Sequence, residues 1–497
     1  MIIAQQFLRQ VERHGEKIAI IHRRRRLTYF EVARQSEQLA GRLHQMGATV
    51  GSRVGLLLHN GPLFTVAMLA TARLGAMVAP LPVAMGQSGL RAALRRLRLT
   101  HLIGESQALA ALDQLNDAPP EQCRLSTAQL LEWFRQCSGE PSPPPLPDAA
   151  DLPWVLTMTS GSTGDPKPIV LSQKCKLRRA IDGAKLPYHL SEHDVILTAS
   201  PMYHSLGMRL GLLPLLIGAT SVILHKFAPG PWLRSVEEEG VTFTIPVSHH
   251  LVQLLPLAED YDLGSLRCLV SSSALLRPEE KRLCIERFRC RLYECYGASE
   301  VGIVTNLSLS DAPAANSVGK PLPHVKLRVI DDAGNPCVPG EIGEILCRTT
   351  TAFSGYDGVP EATAAAFVDG YFRTGDLGYL DERGYLYLKG RKKEVIKVGG
   401  VSVYPDDIER VILGYPGVRA CAAVGIPDER LGERIAVALV PECGARFDLE
   451  ALRRHCITQL ADYQQPLSWH LLESLPETGL GKLRRCRLAE QLRSEAA

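Results

Sequence analysis

The sequence predicts an α/β fold in its first half, a β-rich stretch after it and a compact α+β module at the end, and three observations carry that reading. The first half alternates short apolar runs with helical segments. Residues 326–388 break into short strands separated by turns. The charged stretch GRKKEVIK at 390–397 then closes that pattern and opens a last segment of about a hundred residues with its own helix and strands. At 497 residues the chain is too long for a single core, so on the order of two or three domains are expected.

Taken in order, VGLLLHN at 54–60 reads as a buried strand, and a small-residue helix over 63–74 follows it. A strand feeding a helix is the unit from which parallel layers are built. Residues 117–147, rich in proline and polar side chains, read as a surface connection between two such layers. The segments KLRVIDDAGNP, GEIGEILCR and GYLDERGYLYLKG carry hairpin signals at 332–335 and 381–384, which fits a small barrel or a distorted sheet. In the last segment a helix is expected over 405–413 and strands over 418–424 and 434–440, leading to the lysine loop PETGLGK at 476–482. No internal repeat occurs, and no carrier module is expected behind that loop.

Composition narrows the function classes. Hydrophobic residues make up 45% of the chain, as in ordinary globular domains, and the net charge is only +3. Arginine patches at 23–26 and 95–98 read as solvated faces. A nucleic-acid partner would want a concentrated basic surface with aromatic platforms, and aromatics are only 6%. The 13 cysteines show neither a C-x-x-C pair nor zinc spacing, which points to reduced thiols in a reducing compartment. Arg9 and Arg13 precede any useful apolar run, so a signal peptide is not expected. With no run long enough to span a bilayer, a cytoplasmic protein without a membrane span is the expectation.

The most informative stretch is MTSGSTGDPK at 158–167, set between two apolar strand-like runs. Gly161 and Gly164 let backbone N–H groups approach an anion, the hydroxyls of Thr159, Ser160, Ser162 and Thr163 add donors, and Lys167 supplies a compact positive charge. A kinase-type phosphate loop would place the lysine directly after a glycine and before a hydroxyl. Here Asp165 and Pro166 separate Gly164 from Lys167, and Pro168 follows, so that chemistry is excluded. On its own residues the stretch could equally be a Gly/Ser-rich surface turn.

Four further motifs follow the loop in order: YGASE at 296–300, YFRTGDLG at 371–378, GRKKEVIKVGG at 390–400 and PETGLGK at 476–482. With them the chain resembles, over nearly its whole length, the acyl-adenylate-forming (AMP-binding) superfamily. That family includes acyl- and aryl-CoA synthetases, stand-alone adenylation enzymes that load carrier proteins, and firefly luciferase. The resemblance implies an N-terminal adenylate-forming domain over 1–390, with a mobile C-terminal lid domain over 391–497 that swings about a hinge near Lys393. It also implies ATP, Mg²⁺ and either CoA or the phosphopantetheine of a separate acyl or peptidyl carrier protein.

In that reaction a carboxylate attacks the α-phosphorus of ATP and expels pyrophosphate, and cations must offset the repulsion of two anions. The resemblance gives this task to Lys482, which taken alone would be an ordinary surface lysine. It assigns ribose binding to Asp376 with support from Arg391, Mg²⁺ to Glu300, adenine stacking to Tyr296 and phosphate bonding to the 159–164 loop and Ser299, with Gly297 and Ala274 lining the nucleotide site. A turn aspartate and a core tyrosine are the structural alternatives for Asp376 and Tyr296. Lys397 falls where a second lysine serves the thioester half-reaction in some members, and Gly399 and Gly400 could let a pantetheine arm pass. The chain departs from the common pattern at Ser299, at Pro168 and at SSSALL over 271–276.

SPMYHSLGM at 200–208 corresponds to the segment lining the acyl pocket. Amino-acid-activating members carry an aspartate there, whereas this chain has Tyr203 and His204, and a buried ammonium without a counter-charge is costly. His204 is expected as a pocket wall or gate, with a core histidine as the alternative. Met208, Val247, Ser248, Ser271, Ser273 and Gly297 are the other expected walls. His249, His250 and the serines suit a polar aromatic acid and Met208 suits an alkyl chain, so both classes stay open. The expected activity is an ATP-dependent carboxylic acid ligase forming an acyl-AMP and then a thioester, as a monomer or homodimer. An amino-acid-activating adenylation enzyme and a catalytically silent binding protein are the alternatives, and the latter would be expected to have lost Lys482, Glu300 or Asp376.

Overall fold

The chain gathers into two compact units, the first comprising Met1–Ala315, Pro321–Lys326 and Arg348–Gly370, the second Asn316–Lys320, Leu327–Cys347 and Tyr371–Ala497. This description comes from a computed structural model and covers all residues except 1, 113–114, 116, 137–142, 148, 159–166, 274–275, 310–315, 443–446, 478–482 and 497, and the side chains of 495–496. Much of the β-rich stretch 326–388 thus belongs by contact with the C-terminal unit, where a linear reading draws the boundary at 390.

The first unit holds two layered sheets. One runs, neighbour to neighbour, through Gly302–Ser308, Arg291–Ala298, Cys268–Ser271, Phe243–Thr244, Val195–Thr198, Thr220–Ile223, Ile18–His22 and Arg25–Thr28. Its central pairs are parallel and its hairpins, Arg291–Ala298 with Gly302–Ser308 and Ile18–His22 with Arg25–Thr28, are antiparallel. Parallel strands covered on both faces read as continuous apolar runs, which is why Val195–Thr198 and Cys268–Ser271 lack alternation. The other sheet runs Gly355–Tyr356, Pro168–Ser172, Pro153–Met158, Met77–Pro80, Arg53–Leu57, His101–Gly104 and Arg124–Ser126. The helix Pro62–Leu74 follows its strand as expected, with proline in its first turn and Gly75 ending it at φ 68°.

One expectation is corrected here. Residues 117–147 are more than a surface connection: Arg124–Ser126 adds an edge strand parallel to His101–Gly104, and the helix Thr127–Gln136 buries Leu130 and Phe134. The prolines on either side dominate the composition, whereas Leu125, Leu130 and Phe134 supply enough apolar surface for one strand and one helix.

In the second unit, Gly343–Thr349, Tyr371–Leu380 and Leu386–Arg391 pair antiparallel, with a turn at 381–384 between the last two. A separate sheet runs Val401–Val403, Ile396–Val398, Gly432–Pro441 and Val418–Asp428, and Ser468–Leu471 joins it parallel to Gly432–Pro441. Alternation sorts its two faces: Cys421 and Ala423 pack with Ile408, Ile412, Leu452 and Cys456 of two helices, while Ala422 and Val424 pack with Leu488 and Leu492 of Arg485–Ala496. No helix among the described residues is long and apolar enough to cross a membrane, and the described cysteines are free thiols.

Candidate active site

The glycine-rich loop joins the antiparallel strands Pro153–Met158 and Pro168–Ser172. Thr159, Ser160, Gly161, Ser162, Thr163 and Gly164 lie outside the described residues, as do Ala274 and Lys482. Lys167, at the far end of the loop, stands 5.6 Å from the ring centroid of Tyr356. The Tyr356 hydroxyl in turn donates to Glu300 Oε1 at 3.4 Å. Burial, then the Glu300 charge, push the Tyr356 phenol up to about 12, so it remains a donor at neutral pH. Tyr356 reaches this place because Gly355–Tyr356 pairs with Pro168–Ser172, setting it opposite Ile169. The fold thereby brings together a cation, a phenol and a carboxylate from three distant segments.

The turn carrying Ser299 and Glu300 is held from behind by Arg179, which is only 2% exposed. Its guanidinium donates to the carbonyls of Ser299 at 2.9 Å, Glu300 at 2.7 Å and Thr351 at 2.9 Å. Tyr296 is buried opposite Thr305, and the hairpin tightens immediately after it: a Cβ at Gly297 would lie 2.0 Å from the Gly302 carbonyl oxygen. Gly302 itself takes φ 81°.

The 200–208 segment is clamped by Asn60, whose amide donates to the carbonyls of Ser200 at 3.0 Å and Leu224 at 3.1 Å and accepts from Met202 N–H at 2.7 Å. His204 caps the helix Ser205–Ile217 by its backbone, and burial lowers its pKa, which favours the neutral imidazole. Gly207 is required by packing, since a Cβ there would meet the Pro201 carbonyl oxygen at 2.3 Å. The fold brings Ser248 and Ser271 together through a hydroxyl contact of 3.1 Å, and Val247 bridges Ser272. Met208, Val247 and Ser271 are fully buried, whereas Ser273 is exposed with φ 79°. His250 stacks on Phe227 at 3.6 Å and burial pushes it down to about 4.

In the second unit Asp376 and Arg391 face each other across adjacent strands, with Arg391 Nε 2.7 Å from Asp376 Oδ1. Asp376 N–H donates to Thr374 Oγ1 at 3.1 Å, and Gly375 before it takes φ 70°. Lys393 is exposed in the short turn Lys392–Glu394. Lys397 is exposed on the hairpin of Ile396–Val398 and Val401–Val403, where its ammonium donates to Ser402 Oγ at 2.6 Å. The base of the lysine loop is closed by the Glu477–Leu483 bridge and by Arg484 N–H donating to the Pro476 carbonyl at 2.8 Å.

Arg179, Asn60 and Tyr356 escape sequence reasoning. The first two act on main-chain carbonyls far away in sequence, and Tyr356 reaches Glu300 only through strand pairing. The one signal in their favour is an arginine at the end of a helix that should be exposed and is not.

This chain belongs to the AMP-binding enzyme family: the AMP-binding enzyme profile matches residues 7–357 and the AMP-binding enzyme C-terminal domain matches residues 407–482. It is 33% identical over 494 residues to an indoleacetate–CoA ligase of Aromatoleum aromaticum, covering 96% of each chain. It is 28% identical over 492 residues to the fatty acid–[acyl-carrier-protein] ligase ScoC of Streptomyces coeruleorubidus, covering 96% of this chain and 94% of that one. Its fold matches ATP-bound MatB from Rhodopseudomonas palustris with a TM-score of 0.91 at 27% identity, over 100% of both chains. The protein is an AMP-forming acid–thiol ligase, which activates a carboxylic acid with ATP as acyl-AMP and passes the acyl group to the thiol of CoA or of a carrier protein.

Proposed function

We propose that the motif residues divide the two half-reactions between them: Lys482 serves adenylation, and Lys397, on its exposed hairpin, serves thioester formation. The observation that carries the adenylation half is the convergence of Lys167, Tyr356 and Glu300, which sets a cation over the ring and a hydrogen-bonded carboxylate at the hydroxyl of one aromatic side chain. Lys167 and the loop before it neutralise the leaving pyrophosphate, and Asp376, oriented by Arg391, accepts from the ribose hydroxyls. Tyr296, Gly297 and Ala274 line the adenine, and Ser299 bonds the phosphate.

A Mg²⁺–nucleotide complex needs only one or two protein carboxylates, because phosphates and water complete its shell. Glu300, a single partly buried carboxylate on a turn pinned by Arg179, fits that demand, and no group of three His, Cys, Asp or Glu side chains able to hold a metal occurs among the described residues. The ion, when bound, offsets phosphate charge.

The acid is an aryl or fatty acid. The neutral His204 wall offers no counter-charge to an α-ammonium, and the relatives named above act on indoleacetate and on fatty acids. The C-terminal lid, residues 391–497, swings about Lys393 between the half-reactions. The protein acts in the cytoplasm as a monomer or homodimer.

Acid-dependent exchange of labelled pyrophosphate into ATP tests this reading. Lys482→Ala is expected to lower exchange by at least about 10²-fold, the scale of removing a charge-stabilising donor, with the fold retained because the sequence around it, PETGLGK, reads as a glycine-rich loop and not as core. Full exchange in that variant removes Lys482 from the mechanism.

A further inference from the structure

Three basic side chains meet between two helices of the first unit. Lys176 and Arg179 lie one turn apart on Gln173–Ala180 and are 4% and 2% exposed. Arg209, partly buried, sits on Ser205–Ile217 beside Met208, whose sulfur accepts from Lys176 Nζ at 3.4 Å. Arg179 is fully occupied by the three carbonyls described above. The other two lack any such employment: a thioether is a weak acceptor, and among the described residues no carboxylate pairs with either.

The groups acting electrostatically on Arg209 are Arg179, Cys295, Tyr188 and Cys175, and those acting on Lys176 are Arg179, Arg209 and Cys175. Burial holds the Cys295 thiol up at about 12 and the Tyr188 phenol well above its ordinary value, so neither supplies an anion. Glu294, next to Cys295, is spoken for by Lys281 at 2.7 Å and by Leu276 N–H at 2.9 Å. Alternate residues of a strand face opposite ways, which separates that carboxylate from the Cys295 side. Desolvation and mutual repulsion together push the Lys176 ammonium down to about 7. An anion entering between Lys176 and Arg209 would relieve both.

The place matters as much as the charge. Of the expected walls of the acyl pocket, Met208 lies on the same helix as Arg209 and His204 caps that helix, and Arg179 links the cluster to the Ser299–Glu300 turn. We propose that Lys176 and Arg209 form a subsite for a second anionic group on the acid substrate, a carboxylate or a sulfonate remote from the carboxyl that is activated. This rests on the reading of 200–208 as acyl-pocket lining. It narrows the substrate to acids carrying two negative charges.

The test uses matched acids on the full-length protein: hexanoate with adipate, 3-phenylpropionate with its para-carboxy derivative, and the para-sulfo derivative to separate carboxylate from sulfonate. Pyrophosphate exchange reads turnover, and calorimetry without ATP reads binding of the same acids. In at least one pair the dianion is expected to exceed the monoanion in kcat/KM by about tenfold or more. That ratio, taken within each variant so that partial misfolding cancels, should fall about tenfold in Arg209→Met and in Lys176→Met and largely survive in Arg209→Lys. Monoanions turned over with no dianion preferred, or a ratio unmoved by both neutral variants, would overturn the subsite and leave the ligase assignment standing. Dianion binding lost in Arg209→Met without exchange for any acid would uphold the subsite and overturn the residue roles proposed for adenylation. Neither binding nor exchange of any dianion overturns the subsite.

Discussion

At the scale of single residues, the site depends on side chains whose chemistry is set by what surrounds them. Tyr356 is a phenol kept protonated by burial and by the carboxylate it serves, so its hydrogen bond to Glu300 persists across neutral pH. Tyr356→Phe deletes that donor alone, and a contact worth about 1 kcal/mol should raise the KM for MgATP about fivefold; an unchanged KM in the exchange assay would detach Tyr356 from the nucleotide. Lys176 carries a prediction about pH. Its folded value near 7 lies below its ordinary 10.5, through burial first and then the repulsion of Arg179 and Arg209. Its destabilising effect is therefore complete below about pH 7, shrinks as pH rises and vanishes above about 10.5, since the unfolded chain binds the extra proton in that window. Urea unfolding at pH 7 and pH 9.5 should show stability rising with pH less steeply in Lys176→Met than in the parent, and parallel slopes would contradict the assignment. His204 and Asp376 stand out in the sequence because their motifs do; Arg179 and Asn60 do not, because a side chain bonding a carbonyl more than a hundred residues away leaves no local spacing to detect.

At the scale of elements, short pieces with strong local signals formed as read: the helix Pro405–Leu413 and the strands Val418–Asp428 and Gly432–Pro441 follow from proline in the first turn and from apolar runs. What joins them is a charge cluster. Arg485, which opens the last helix and is 14% exposed, reaches Glu394 at 2.9 Å, Asp406 at 3.6 Å, both oxygens of Glu409 and the Ala423 carbonyl at 3.0 Å. It thereby ties the turn after Arg391 to the base of the 476–484 loop within one unit. Arg485→Met leaves those carboxylates to repel one another, and breaking a buried pair of this kind costs about 3–5 kcal/mol. Chemical denaturation of the full chain should show that loss, and adenylation should fall with it as the Lys482 loop loses its anchor. A variant as stable as the parent would mean the cluster is balanced without its cation. The missed strand and helix within 117–147 belong to this scale as well: an edge strand of three residues carries too little periodicity to be seen until its neighbour at 101–104 is known.

At the scale of the whole molecule, two half-reactions are expected to be separable by mutation. Lys397→Ala should retain acid-dependent pyrophosphate exchange close to the parental rate while thioester formation with CoA or a carrier protein drops by about tenfold or more, and Lys482→Ala should do the reverse when supplied with preformed acyl-AMP. Loss of exchange in both variants would show that one lysine is structural. By itself the sequence determined the order of motifs and the succession of α/β layers, β-rich stretch and α+β module, because glycine spacing, charged loops and apolar periodicity are written in neighbouring residues, and the reaction class came with the family resemblance that those motifs carry. Only the tertiary structure decided that residues 371–390 pack with the C-terminal unit, that Tyr356 meets Glu300, and that Lys176 and Arg209 lie close together with no carboxylate paired to either among the described residues. Those outcomes depend on strand register and helix packing between segments distant in the chain, where burial sets the strength of each charge and no local pattern records it.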